Sequence, residues 1–173
     1  MLAYREGDAG AFETLYKRHR GALYRFVLRA LGSTSSQKAL AEELYQEVWI
    51  RVIEARGRYT PQARFTTWIY TIAHNLLVDH WRKKGLAVVA LDTQDVAVES
   101  ANPARVAEGR EGLARFMHAL EGLPAAQREA FLLHEEAGLT VAEIAAATGA
   151  GEEAAKSRLR YAMAKLKAAV DDG

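Results

Sequence analysis

The chain has 173 residues, half of them hydrophobic, a formal net charge of +1 and no cysteine. That is enough apolar material for a core in one or two small domains and too much for a disordered protein, and it excludes disulfides and thiolate metal sites. No apolar run approaches the roughly 20 residues that cross a bilayer, and Met1 to Glu6 lacks the pattern of a signal peptide, so no membrane association is expected and the cytoplasm is the expected compartment.

The small net charge hides an uneven distribution. Residues 1–84 carry 14 Lys/Arg against 8 Asp/Glu, a net of +6; residues 85–109 carry 1 against 4; residues 110–173 carry 8 against 10. A basic first half suits a polyanionic partner.

Residues 7–31 predict a helix, because Phe12, Leu15, Tyr16, His19, Leu23, Phe26, Val27 and Ala30 keep a three/four rhythm until Gly32 to Ser36 breaks it. A second helix is expected from about Lys38 to Ala55, with Leu40, Leu44, Val48, Ile50, Val52 and Ile53 nearly encircling it, a pattern of burial on more than one side. Pro61 makes residues 57–63 a loop, since it cannot continue a helix and biases Thr60 away from helical angles. A third helix spans about 65–84, with Trp68, Ile72, Ala73 and Leu76 expected inside and Thr67, Tyr70, His74, Asn75, Trp81 and Arg82 accessible. Phe65 and Trp68 are read as core aromatics rather than base-stacking groups.

Residues 85–103 show weak periodicity, no Lys or Arg and three acids, Asp92, Asp95 and Glu99, and are read as a flexible acidic linker. Helices are then expected around 105–121, 124–137, 140–148 and 152–170. No strand pattern survives, so the expected fold is all-α: two small helical domains, 1–84 and 104–173, joined by that linker.

The most specific feature is the stretch from Leu139 to Val170. Thr140 and Glu143 have the spacing of a capping box, in which a hydroxyl and a carboxylate reciprocally satisfy backbone N–H groups at a helix start. Ala145 is small where two helices would cross, and Gly149 supplies the left-handed conformation of a tight turn. Beyond it, Leu159, Ala162, Met163, Leu166 and Val170 form an apolar stripe, opposite Ala154, Ser157, Tyr161 and Ala164 and flanked by Glu153, Lys156, Arg158, Arg160 and Lys165. This is a helix-turn-helix pattern suited to a DNA major groove, with Lys and Arg meeting phosphates and short side chains letting the backbone approach base edges.

With both halves placed, the chain resembles an extracytoplasmic-function (group IV) sigma factor of the sigma-70 family over nearly its whole length. Three motifs carry the resemblance. Residues 41–49, AEELYQEVW, are similar to the helix that grips the clamp of the largest polymerase subunit; residues 65–75, FTTWIYTIAHN, to the segment that opens and reads the promoter −10 element; and residues 139–166, with Lys156-Ser157-Arg158-Leu159, to the −35 reader. The resemblance implies polymerase contacts at Glu43, Gln46, Glu47 and Ile50. It implies −10 contacts at Arg58, Arg64, Thr67, Tyr70, His74, Asn75, Arg82 and Lys83, with a base held at the 57–64 loop. It implies −35 contacts at Thr140, Glu153, Ala154, Lys156, Ser157, Arg158, Arg160 and Tyr161. Where relatives commonly begin the recognition helix with a trio similar to Val-Gly-Thr, this chain has Glu152-Glu153-Ala154; acids favour the helix dipole, repel phosphate and can accept from cytosine N4.

The same resemblance implies core RNA polymerase, promoter DNA and an anti-sigma protein as partners, and a linker that either threads the polymerase or serves as a plain tether. No cofactor, metal or catalytic residue is expected: His74 and Asp79 are five residues apart on divergent faces, so with His80 and His19 they make a poor metal set. A duplex-binding regulator acting alone would leave the basic first domain and the Gln46-Glu47 edge unexplained.

Overall fold

The computed structural model describes residues 1–32, 34–83 and 108–171. The expected linker at 85–103 and Lys84, the expected last residue of the third helix, lie outside them. Among the described residues every regular element is helical: α1 (Leu2–Arg5), α2 (Ala9–Leu31), α3 (Ser35–Glu54), a 3₁₀ turn at Arg56–Arg58, α4 (Phe65–Lys83), α5 (Glu108–Glu121), α6 (Ala125–Glu135), α7 (Val141–Thr148) and α8 (Glu152–Asp171).

The first domain is built on α2, α3 and α4. Asp8 starts α2 by accepting from the Ala11 N–H at 3.1 Å. The break that follows is shorter than the serine-rich sequence suggests. Thr34 and Gln37 form a capping box that launches α3 at Ser35, and the Gln37 amide also donates to the Leu31 carbonyl at 2.6 Å, tying the two helix ends together. Gly32 has φ 115°, and a Cβ there would lie 2.7 Å from the Gln37 side chain, so the corner requires glycine. Leu23, Phe26, Val27, Val48, Val52, Ile69, Tyr70 and Leu77 fill the centre, each at most 1 % exposed.

Helix α3 departs from the encircled pattern. Its inward side is Ala41, Val48, Trp49 and Val52, whereas Ile50 and Ile53 remain about half exposed. Trp49 replaces them in the core, within an aromatic group with Phe12, Tyr16 and Tyr45.

The second domain packs α5, α6 and α7 against α8. Small residues permit the close crossings: Ala147, Ala155 and Ala162 are at most 1 % exposed beside Leu139, Ile144, Leu159 and Leu166. The inward stripe of α8 is Ala155, Leu159, Ala162 and Leu166, and the expected stripe members Met163 and Val170 are exposed. Helices α5, α6 and α7 all pack against α8, and its buried positions step by three or four residues from Ala155 to Leu166.

The two domains touch. Helix α2 packs on α6 and α4 packs on α7, and the buried residues of both halves form one connected cluster.

Candidate nucleic-acid interface

The helix-turn-helix is built as its sequence specifies. The Thr140 N–H donates to a Glu143 carboxylate oxygen at 2.9 Å, and the Glu143 N–H donates to the Thr140 hydroxyl at 3.3 Å. Gly149 sits at φ 67°, ψ 14°, the left-handed cap. Upstream, Gly138 at φ 64° lets its N–H reach the His134 carbonyl at 3.0 Å. Two sharp turns thus fix α7 between α6 and α8. On α8, Glu153, Lys156, Arg160 and Tyr161 are exposed, Ala154, Ser157 and Arg158 are half-buried at the edge, and Thr140 is exposed at the start of α7. The Arg160 guanidinium lies 5.1 Å from the Tyr161 ring centroid, which pre-orients both groups toward solvent. The Lys156 ammonium stands 3.8 Å from Glu153, so the acid tempers one cation of the face without removing it.

The first domain carries a second polar face along α4 and the loop before it. Arg58, Arg64, Asn75, Arg82 and Lys83 are exposed. A cavity of about 290 Å³ opens between the 3₁₀ turn, the 59–63 loop and α4, lined by Arg58, Tyr59, Thr60, Gln62, Thr67, Trp68 and Thr71, with Ala146 of α7 forming one wall. Tyr59 and Trp68 meet edge to face at 4.9 Å. Trp68 is therefore half-buried and borders the cavity, a different place from the interior one expected of it. Aromatic walls with hydroxyl and amide groups nearby are what an extruded base needs.

Three of the expected α4 ligands are not accessible here. Thr67 is 4 % exposed because α7 lies over it, and its hydroxyl approaches Glu143 at 3.4 Å. Tyr70 is 1 % exposed, its ring 5.1 Å from Phe26 within the first domain. Burial, then the nearby Glu136 charge, hold its phenol far above the usual range, with Arg25 opposing. The Nδ1 of His74 is 2.7 Å from the Glu129 carboxylate. Trp81, also expected outside, is buried. Helix α4 packs against α2, α3 and α7, and the sequence pattern carries no sign that α7 covers Thr67 or that α2 covers Tyr70.

The residues that sequence reading missed lie in the same place. Arg25 Nε donates to Glu136 Oε2 at 2.7 Å and Arg29 pairs with the other carboxylate oxygen. Arg64, itself an expected −10 contact, donates to the capping-box residue Glu143 at 3.1 Å, a pairing the sequence did not suggest. Arg25 and Arg29, four apart on α2, and Glu129 and Glu136, seven apart on α6, each share a helix face. That spacing was visible, but nothing local joins positions more than 100 residues apart.

A third surface is the exposed edge of α3. Glu43, Gln46 and Ile50 are exposed and Glu47 is half-buried, accepting from Arg51 at 3.0 Å. Ile53 extends it by one turn. Acids, an amide and two bare isoleucines on one helix make a surface for a partner protein, with charged groups beside an apolar patch. Among the described residues no His, Cys, Asp and Glu are grouped so as to hold a metal ion, and no helix is long and apolar enough to cross a membrane.

A helix-turn-helix domain packed on a helical domain with a basic face defines a DNA-binding protein. The model of sigma-70 region 2 matches residues 15–86 and that of sigma-70 region 4 matches residues 113–166. The RNA polymerase sigma factor CarQ of Myxococcus xanthus is 34% identical over 170 residues, 96% of this chain and 93% of the relative. The ECF sigma factor BldN of Streptomyces coelicolor is 34% identical over 90% of this chain, which spans 58% of that relative. Among solved structures, CnrH bound to the cytosolic domain of CnrY has a TM-score of 0.68 at 25% identity, covering 99% of this chain and 95% of that one. RpoE from Bartonella quintana, bound to the anti-sigma factor NepR, has a TM-score of 0.69 at 26% identity, covering 93% and 97%. The chain belongs to the extracytoplasmic-function sigma factors of the sigma-70 family. It is an alternative sigma factor, which directs core RNA polymerase to initiate transcription at particular promoters.

Proposed function

We propose that the three faces divide the work of initiation between residues 1–84 and residues 104–173. Glu43, Gln46, Glu47, Ile50 and Ile53 of α3 dock on the clamp of the largest polymerase subunit, the carboxylates and amide bonding to basic groups while the isoleucines lose water. Arg58, Arg64, Arg82 and Lys83 attract the phosphates of the −10 segment, and Asn75 hydrogen-bonds a base edge. The Tyr59–Trp68 recess receives an extruded base, and Thr67 and His74 join once α6 and α7 move off them. Tyr70 supports α4 from inside rather than reading DNA. On the second domain, Lys156, Arg158 and Arg160 meet −35 phosphates or guanine, Tyr161, Ser157, Ala154 and Thr140 border the groove, and Glu153 accepts from cytosine N4.

The observation that carries this reading is the coexistence, on one chain, of the turn-locked α7–α8 pair with a solvent-facing α3 edge. The first reads duplex DNA, and the second has no role in a protein acting alone. In this reading the chain performs no covalent chemistry, needs no cofactor, works in the cytoplasm and uses residues 85–103 as the tether between elements. An anti-sigma protein is a fitting inhibitor, since one structural relative, RpoE of Bartonella quintana, is seen bound to one. Reconstituted transcription with core polymerase on a genomic promoter library tests the proposal. Promoter-selective transcripts dependent on this chain are expected, and footprinting of duplex DNA without polymerase would overturn it.

A further inference from the structure

We propose that α1 braces the rim of the base-sized recess, with Arg5 as the positioning residue that fixes the Tyr59 backbone and thereby the base preference of the recess. This rests on the assignment of the recess to an extruded −10 base given above.

The rim has little to hold it from within. The chain leaves the 3₁₀ turn at Arg58, passes through residues 59–63 and enters α4 at Phe65. Pro61 offers no N–H, and the Gln62 N–H turns back to the Thr60 carbonyl at 2.9 Å. The Tyr59 carbonyl is met from outside the loop: Arg5 Nη1 donates to it at 3.1 Å, across 54 residues of sequence. A charged donor makes a stronger bond to a carbonyl than a neutral one does. This bond fixes the peptide plane between Tyr59 and Thr60, both of which line the recess. The buried Tyr59 ring in turn stands 4.9 Å from Trp68, the aromatic wall on α4.

Helix α1 is anchored so that it can serve as a brace. Tyr4 is buried with its ring 5.0 Å from Phe12, which meets Trp49 at 5.9 Å, so α1 is joined to the aromatic group of the first domain. The Arg56 guanidinium, in the 3₁₀ turn, lies 4.7 Å from the Tyr4 ring centroid, a cation–π contact that ties α1 to the turn as well as to the loop. Gly7, at φ 110°, turns the chain from α1 into α2, and the Asp8 N–H closes that corner on the Ala3 carbonyl at 3.0 Å. Glu6 accepts from Arg5 Nε at 2.9 Å, which aims the guanidinium. Arg5 adds nothing to the core, since 36 % of its side chain is exposed. What it holds is the rim, and every group in the set belongs to the first domain.

The test reads base preference, which a merely structural role would not move. Full-length variants are assembled with core polymerase and given a promoter recovered from the genomic library with its −10 segment randomised. Sequencing of the opened templates gives the preference at each position. Trp68→Leu, which removes the aromatic wall and keeps its bulk, should flatten the preference at one position. Arg5→Met should flatten the same position about three- to tenfold, the worth of one hydrogen bond, and leave the others intact. The double variant should be no flatter than Trp68→Leu alone, because both act through one recess. Lys17→Met, the same charge change at an exposed site on α2, should leave the profile as it is. Co-migration with core polymerase checks that each variant folds. If Trp68→Leu flattens a position and Arg5→Met lowers opening on all templates alike, or flattens a different position, the brace is overturned and the recess stands. A salt dependence of opening reduced by about one in Arg5→Met would also overturn it, by showing that Arg5 holds a phosphate. An unchanged profile in Trp68→Leu would remove the recess itself, and the brace with it.

Discussion

Arg64 and Glu143 join the two domains through a carboxylate that is already in use. One oxygen of Glu143 accepts from the Thr140 N–H and hydroxyl to cap α7, and the other accepts from Arg64 at the start of α4. The same protein contains a control, since the capping box of α3 uses Gln37 in the equivalent position. Glu143→Gln should therefore keep the cap and lose the ion pair, costing at most about 1 kcal/mol because Arg64 is largely exposed. Glu143→Ala should lose both, adding about 1 kcal/mol for the cap. Chemical denaturation of the two variants separates the contributions. Equal destabilisation by Gln and Ala would show that the charge, not the cap, is what matters.

Acid should weaken the same point. The Thr140 N–H, followed by the Thr140 hydroxyl and the nearby Arg64 charge, holds the Glu143 carboxyl below its ordinary 4.5, against the opposing effect of burial. The unfolded chain then takes up the proton first as pH falls. The stabilisation is complete above the ordinary value and disappears as pH drops through the lowered one. Unfolding followed between neutral pH and pH values below 4.5 should show a loss that is smaller in Glu143→Gln. Identical pH profiles would remove Glu143 from this role.

On α3, Glu47→Lys should abolish binding to core polymerase while leaving the fold nearly intact, because Glu47 contributes only an exposed i,i+4 pair with Arg51 worth about 0.3–0.5 kcal/mol. Ile50→Glu should do the same by placing a charge in the apolar patch. Co-migration with core polymerase, read beside helical circular dichroism, distinguishes lost docking from lost structure. Full binding by both variants would place the docking surface elsewhere.

For the recognition helix, Lys156→Ala or Arg160→Ala should weaken −35 binding by about 1–3 kcal/mol if the side chain reads a base, or flatten the salt dependence by about one if it touches phosphate. Titration of the polymerase-bound chain on promoter fragments at several salt concentrations tells these apart. The absence of both effects would mean that another face of α8 enters the groove.

Local rules made the helices legible, and the second domain most of all. Thr140, Glu143, Gly149 and the Leu159, Ala162 and Leu166 rhythm each act over four residues or fewer, and the structure uses them as the sequence suggests, with Ala155 completing the stripe in place of Met163 and Val170. The start of α3 was obscured because Ser33 to Ser36 resemble a loop until Thr34 and Gln37 are recognised as a capping box. The site was half legible. The exposed face of α8 follows from periodicity, whereas on α3 periodicity placed Ile50 and Ile53 inside a helix that in fact leaves them exposed. The covering of Thr67 and His74 does not, since it depends on which second helix meets α4, and sequence separation of 55 and 76 residues leaves no local trace of that choice.

Tyr70 offers the sharpest contrast between sequence pattern and packing. Its position in the FTTWIYTIAHN segment suggests a DNA ligand, yet its ring is wedged against Phe26 and its buried hydroxyl has no hydrogen-bond partner among the described residues. A buried hydroxyl with no partner loses its water without recompense, so Tyr70→Phe should leave stability unchanged or raise it by up to about 1 kcal/mol, the ring packing being kept. Tyr70→Ala should instead cost about 3–5 kcal/mol, as truncation of a large buried aromatic does. Promoter opening by the Phe variant should match that of the parent chain. A Phe variant that folds normally but fails to melt the −10 segment would show that the hydroxyl swings out to DNA when the domains separate, and would return Tyr70 to the reading surface.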